Sequence, residues 1–405
     1  MAQTPWKHGP RKYNLHSSSP ASLNSTSIHL KHVTFIPETR SILTTTKKVF
    51  ESIPLPHLHP TGLLIKLLAA GVCRSDHNLL TNETQPAWFK PHFTLGHEGC
   101  GRIVRLGSEL TSTCGFSVGD VVAMLAVPGC GKVRKSKDEE GCDECTNGQP
   151  QLCLTGYRSG IGMDGFFAEY AVIDVRGAVH VPSKVTPSQA AVATDAVTTA
   201  YHAIHRRAQV TAADVVFLFG LGGLGFNALQ VIRAIGAKVL VCDVKQENLD
   251  AAVEIGVAEA ECVPVGKDVR EWVAENGWEG KIGVVADFVG MQATFGAAQH
   301  IGLFSPLLKS ALKSFGWRIR QAGRILCVGT LNHENTVHMK LAIRKRLDIL
   351  FSYGGQTGDL KEALDLISQG ILNPMVSDGK LEDFPKVMKG LEEGKVQGRV
   401  ALLFD

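Results

Sequence analysis

Three thiols crowd into twelve residues of this 405-residue chain, Cys142, Cys145 and Cys153, and Cys130 stands just upstream. A Cys-x2-Cys pair lets two thiolates grip one ion from a tight turn. A third returns from the loop, and Cys130 completes four thiolates, the form of a structural zinc site. Thiolates select zinc or an iron–sulfur cluster, and a single loop with no other redox signature favours zinc. The rival reading, reduced bystander cysteines, attaches mostly to Cys130, because the charged run 133–141 (VRKSKDEEG) intervenes.

A second constellation is spread more widely. Cys73 lies in GVCRSD, His97 and Glu98 in GHEG, and Asp195 in TDAVTTAY. One thiolate, one imidazole and one carboxylate make three ligands and leave a fourth position open, as in catalytic zinc sites. Taken singly, Cys73 reads as a small buried hydrophobe and His97 as a satisfied structural histidine. Spacing alone does not join them.

The third feature is Gly220-Leu221-Gly222-Gly223-Leu224-Gly225, which fits G-x-G-x-x-G. A strand over 215–219 leads in and a helix over 224–235 leads out. A second strand, 238–242, ends at Asp243, 18 residues after Gly225. Glycines let a pyrophosphate approach the backbone, and the helix N-terminus supplies amide donors. Asp243 is placed for the adenosine ribose hydroxyls and repels a 2′-phosphate, which favours NAD over NADP; the nearby Lys245 softens that exclusion. A glycine-rich turn without a ligand is the rival.

Elements must hold these groups in place. The N-terminal half carries short β-like runs at 63–70, 101–106 and 118–126. From residue 215 the style changes to strands alternating with helix-length segments, with further strands at 284–289 and 324–328, which indicates a parallel α/β sheet. A helix over 359–369 and a closing strand over 399–404 follow. The segment 300–320 carries four Lys and Arg residues and no acid, and reads as an inserted surface excursion.

Composition is that of an ordinary globular chain, with 44% apolar and 20% charged residues. A net charge of +3 is too small to argue for nucleic acid, and no apolar run is long enough to span a membrane. Ten cysteines in a chain this long are no disulfide scaffold; their cluster points to metal in a reducing compartment. A cytoplasmic location is expected. The alternative is mitochondrial, because the first 37 residues are basic, hold six serines and lack any acid.

In order along the chain, GVCRSD, GHEGCGRIVRLGS, SVGDVV, the cysteine cluster and GLGGLG resemble the zinc-containing alcohol dehydrogenases of the medium-chain dehydrogenase/reductase superfamily. The resemblance implies an α/β architecture of a GroES-like, β-rich catalytic domain (28–196 and 354–405) and a Rossmann doubly wound NAD-binding domain (197–353). An N-terminal extension, 1–27, precedes them. It implies Cys73 and His97 as catalytic zinc ligands, Glu98 as an occasional ligand, and Asp195 as the third. A rival for that third place is Glu98, with Asp195 capping the Thr-rich helix after it. Ser75 would take the alcohol proton, and Asp76 would stand behind the ligands. Arg74 and Arg399 would meet the pyrophosphate, with Thr199 and Val328 against the nicotinamide. Asn78 stands where many relatives have a relay histidine, and His77 is its neighbour. The implied activity is reversible hydride transfer between an alcohol and NAD, with one catalytic and one structural zinc per chain, in a homodimer or homotetramer. The alternatives are a zinc-independent quinone or enoyl reductase and a non-catalytic NAD-binding scaffold. Trp88, Phe89 and Phe93 are candidates for the substrate pocket or for the core.

Overall fold

In the computed structural model of the chain, residues 30–35, 49–81, 86–90, 92–111, 113–136, 139–302 and 323–404 are described. The N-terminal extension and most of segment 300–320 lie outside the described residues; His300 and Ile301 close the helix Gln292–Ile301.

The strand Gly62–Val72 is the spine of the first lobe. It is buried almost throughout, so it reads as a continuous apolar run rather than an alternating one. Antiparallel neighbours flank it: Glu98–Leu106, Tyr170–Asp174 and Arg399–Leu403. Val121–Leu125 and Ala178–His180 extend the sheet on one side, and Val376–Lys380 closes the other. Two register irregularities, at Leu64/Ile65 and Leu67/Ala69, bend the central pair.

The second lobe is a five-stranded parallel sheet in the order Lys238–Cys242, Val215–Phe219, Val284–Asp287, Arg324–Cys327, Asp348–Phe351. A lone parallel bridge, Val241 to Cys262, stands where a further outer strand would pair. The chain reverses direction across the sheet at Val215–Phe219, the switch point where doubly wound folds bind ligands.

One long helical stretch, 187–207, joins the lobes. Thr186 caps it in a capping box with Gln189, and Pro187 occupies its first turn. Two of its turns, Ala193–Val197 and His202–Arg207, widen to π-helical geometry, a local insertion often found at functional sites. Its small buried residues Ala193, Ala200 and Ala203 let one core run from Ala69 and Ala123 of the first sheet to Val216 and Leu218 of the second. The cleft therefore opens between two lobes packed on a shared helix.

Candidate active site and metal centres

Strand register brings the widely spaced ligands together. Gly71 pairs with Glu98, so Cys73, just past one strand, lies beside His97, just before the other. Val400 pairs with Val72 and delivers Arg399 to the same place. Asp195 arrives from the π-helical turn of the joining helix. Cys73, His97, Glu98 and Asp195 present donor atoms within 4.8 Å of one another. Asp195 Oδ2 lies 3.8 Å from the Cys73 sulfur and 3.9 Å from His97 Nε2. Ligands ~2.0–2.3 Å from a tetrahedral zinc stand roughly 3.3–3.8 Å apart.

The surroundings aim these donors. Asp76, fully buried, accepts from the Cys73 backbone N–H at 2.9 Å and holds His97 Nδ1 at 3.1 Å. A proton on Nδ1 leaves the Nε2 lone pair facing the cluster. Burial alone would lower the His97 pKa, but Asp76 and Cys73 together outweigh it and raise it well above the ordinary value. Thr199 donates to Asp195 Oδ1 at 2.8 Å, leaving Oδ2 for the cluster. Burial would raise the Asp195 carboxyl, yet His97, Arg399 and Thr199 together hold it below its usual range. Asp195 does not begin a helix: the cap belongs to Thr186, nine residues earlier. The capping rival for Asp195 therefore has no structural counterpart.

Glu98 is fully buried. Burial pushes its carboxyl up to about 8, against the pull of Arg399. Its Oε2 has no hydrogen-bond partner. A buried carboxylate oxygen left unpaired beside a thiol, an imidazole and a second carboxylate suits a cation, so the residues fit a zinc ion.

Cys130, Cys142, Cys145 and Cys153 also gather within 4.8 Å of one another. The sulfurs of Cys130 and Cys145 are 3.7 Å apart, and those of Cys142 and Cys153 3.6 Å, near the edge of a tetrahedron built on ~2.3 Å zinc–sulfur bonds. The charged run does not part Cys130 from the rest. The Cys142 N–H donates to the Lys132 carbonyl at 2.8 Å, closing the neck of the excursion. Arg134 then pairs with Asp143, and its N–H donates to the Thr146 hydroxyl.

A cleft of about 500 Å³ joins the first cluster to the glycine loop. Of the residues expected from the sequence, Cys73, Arg74, Ser75, His97, Asp195, Thr199, Gly220, Gly222, Gly223, Leu224, Gly225, Asp243, Val328 and Arg399 line it. Gly220 takes φ +84°, and a Cβ on Gly225 would run into the Gly220 carbonyl, so both positions need glycine. Asp243 is fixed at the strand end by the N–H groups of Leu221 (2.6 Å) and Lys245 (2.9 Å). The Lys245 ammonium, which lines the same cleft, donates to the Gly394 carbonyl. Ser75 Oγ stands 3.6 Å from the Cys73 sulfur. Arg399 was expected at the pyrophosphate. Its Nε donates to Glu98 at 3.1 Å and its Nη2 to the Cys73 sulfur at 3.3 Å, while its other edge meets Gly223.

Asn78 lines the cleft, whereas His77 pairs with Glu392 outside it. Phe93 is core, Phe89 packs against that core, and Trp88 is half exposed; none lines the cleft. Sequence reasoning missed Gln151, Phe288, Val289, Thr330 and Tyr353 in the wall. Four of these follow the carboxyl ends of parallel strands, where the switch-point rule would have found them.

Residues 59–183 match the alcohol dehydrogenase GroES-like domain. An alcohol dehydrogenase of Geobacillus stearothermophilus is 27% identical over 363 residues, covering 88% of this chain and 96% of that protein. One of Rhizobium meliloti is 27% identical over 360 residues, covering 87% and 94%. Among solved structures, acetophenone reductase from Geotrichum candidum in complex with NAD superposes with a TM-score of 0.76 at 26% identity, covering 94% of this chain and 98% of that one. The alcohol dehydrogenase of Aeropyrum pernix gives 0.74 at 25%, covering 92% and 100%.

Proposed function

We propose, for a chain that belongs to the zinc-type alcohol dehydrogenases of the medium-chain dehydrogenase/reductase superfamily, a division of labour among its own residues. The chain is an NAD-dependent oxidoreductase acting between alcohols and their aldehydes or ketones. The observation that carries the residue roles is that one cleft holds both the Cys73–His97–Asp195 cluster and the glycine loop. Cys73, His97 and Asp195 hold the catalytic zinc, with Glu98 beside it; Cys130, Cys142, Cys145 and Cys153 hold the structural one. When bound, zinc supplies Lewis-acid polarisation of the substrate oxygen and NAD supplies the hydride acceptor.

The protein's part is to place, orient and exchange protons. Asp76 fixes the His97 ring, and Thr199 fixes the Asp195 carboxylate. The Ser75 hydroxyl takes the substrate proton and passes it toward the cleft mouth, where Asn78 stands. With His77 engaged by Glu392, the proton's outward path does not run through that imidazole. The glycine loop and Arg74 hold the diphosphate, Asp243 the adenosine ribose, and Thr199 and Val328 the nicotinamide face. Leu125, Ala126, Val127 and Ile161 give the substrate end an apolar wall, which suits hydrocarbon substituents on the carbinol carbon. The zinc-ligand sets weigh against a zinc-independent reductase and against a non-catalytic scaffold.

The two sheets support a catalytic domain over 28–196 and 354–405 and a dinucleotide domain over 197–353. The clustered, unpaired cysteines suit a reducing compartment such as the cytoplasm, which cell fractionation would check. Among the described residues no helix is long and apolar enough to cross a membrane. A homodimer or homotetramer is proposed on family grounds, with sedimentation as its check.

Primary, secondary, allylic and aromatic alcohols, offered with NAD⁺ and NADP⁺ and followed by absorbance of the reduced cofactor, test the reading. NAD⁺ is expected to exceed NADP⁺ in kcat/KM by about tenfold or more, because a fixed carboxylate faces the extra phosphate. Asp243→Ser should narrow that gap. A wild-type enzyme that prefers NADP⁺ would overturn the role of Asp243.

A further inference from the structure

Arg399 touches two sites at once. Its side chain is 6% exposed, and the Glu98 side chain beneath it is fully buried. One edge of the guanidinium meets Glu98 Oε1 at 3.1 Å and the Cys73 sulfur at 3.3 Å, with Asp195 Oδ2 at 3.5 Å. The opposite nitrogen, Nη1, lies so close over Gly223 of the glycine loop that a Cβ there would strike it. A planar fork with five donors and a permanent charge can serve both sides.

We propose that Arg399 couples the two sites: a zinc ion held by Cys73, His97 and Asp195 strengthens diphosphate binding at the glycine loop, and the diphosphate strengthens zinc binding by the same factor. This rests on the zinc and dinucleotide readings given above. The reason is competition for one cation. The Cys73 sulfur and the Glu98 and Asp195 carboxyl groups hold the guanidinium edge on the ligand cluster. A dication that takes up their charge removes the competitors, and the field of Arg399 on the loop grows. In so dry a setting the effect is poorly screened. Reciprocity follows from linkage.

The test uses the full chain with one zinc per chain, the catalytic ion removed by a chelator, against the chain with both ions. The probe is ADP-ribose, which carries the diphosphate but no nicotinamide to face the metal, titrated by calorimetry. Zinc affinity is measured by chelator competition with and without saturating ADP-ribose. Both affinities should rise about fivefold or more, by matching factors. In Arg399→Gln the coupling should vanish, which excludes a direct pull of zinc on the diphosphate. Glu98→Gln, nearly isosteric, provides a second reading should Arg399→Gln fail to fold. Without the catalytic ion and at pH 9, with the Glu98 carboxyl ionised, it should bind ADP-ribose more tightly than the wild type does, because one competitor is gone. Independent binding of zinc and ADP-ribose in the wild type, coupling of opposite sign, coupling that survives in Arg399→Gln, or an unchanged Glu98→Gln would each overturn the proposal. Failure to bind zinc or ADP-ribose at all would instead overturn the site assignments beneath it.

Discussion

Asp195→Asn is expected to lower kcat by about two orders of magnitude or more and to weaken zinc at the catalytic site, while the melting temperature falls little. The charge balance explains the size. A Cys73 thiolate and an Asp195 carboxylate would together neutralise a zinc dication, with His97 neutral; an amide would remove one of the two negative charges. Asparagine still accepts from Thr199, so the helix around it keeps its packing. Carboxylate oxygen donates less charge than sulfur, which leaves the metal a stronger Lewis acid than a second thiolate would. Asp195→Cys restores the charge and should retain much of the metal. Steady-state kinetics beside a metal count decide the matter. Full zinc and unimpaired kcat in Asp195→Asn would move the third ligand to Glu98.

Cys145→Ser should act in the opposite way, removing stability before chemistry. About two zinc ions per chain are expected in the wild type and about one in this variant. The Cys130–Cys153 lobe packs its four sulfurs as a small core of their own, so loss of the ion leaves little to hold it. The cost is on the order of 3–5 kcal/mol, or a fall of ~5 °C in Tm. Calorimetric melting with metal analysis measures both. A variant that keeps two ions, or loses one without a change in Tm, would show that the cysteines do not form a structural site.

The parts of the fold that sequence reasoning reached are those whose signal is local. Val215–Phe219 and Lys238–Cys242 match their expected bounds residue for residue, because parallel strands buried under helices are largely apolar runs bracketed by turn residues. The glycine loop is likewise legible, each glycine answering a steric need within a few residues of itself. The gathering of Cys130, Cys142, Cys145 and Cys153 is legible in side-chain type and spacing, since all four lie on one local loop. What stayed hidden depends on register and on helix irregularity. Nothing near Cys73 announces His97; their meeting rests on the pairing of Gly71 with Glu98. The joining helix 187–207 is rich in alanine and carries two π-helical turns, so a 3.6-residue period does not reveal which side Asp195 faces. Arg399 was expected at the diphosphate from a motif, yet its contacts with Glu98 and Cys73 arise from a strand pair more than 320 residues apart in sequence. Trp88, Phe89 and Phe93 fall between ligand motifs in the sequence but outside the cleft, because Phe93 and Phe89 pack in and against the core of the first lobe while Trp88 stays half exposed.

The closed neck between Lys132 and Cys142 also makes the metal lobe modular. Since the Lys132–Cys142 backbone hydrogen bond closes the neck and Arg134 is tied to Asp143 and Thr146, the length of the run beyond Arg134 is uncoupled from the placement of the four sulfurs. Doubling it adds only about 0.6 kcal/mol of loop-closure entropy. A foreign peptide, such as an affinity tag or a fluorophore acceptor, could be spliced there with zinc content and turnover unchanged, and a drop in either would show that the neck had opened. The excursion thus offers a handle on the enzyme's surface that evolution or an engineer can lengthen without disturbing the chemistry in the cleft.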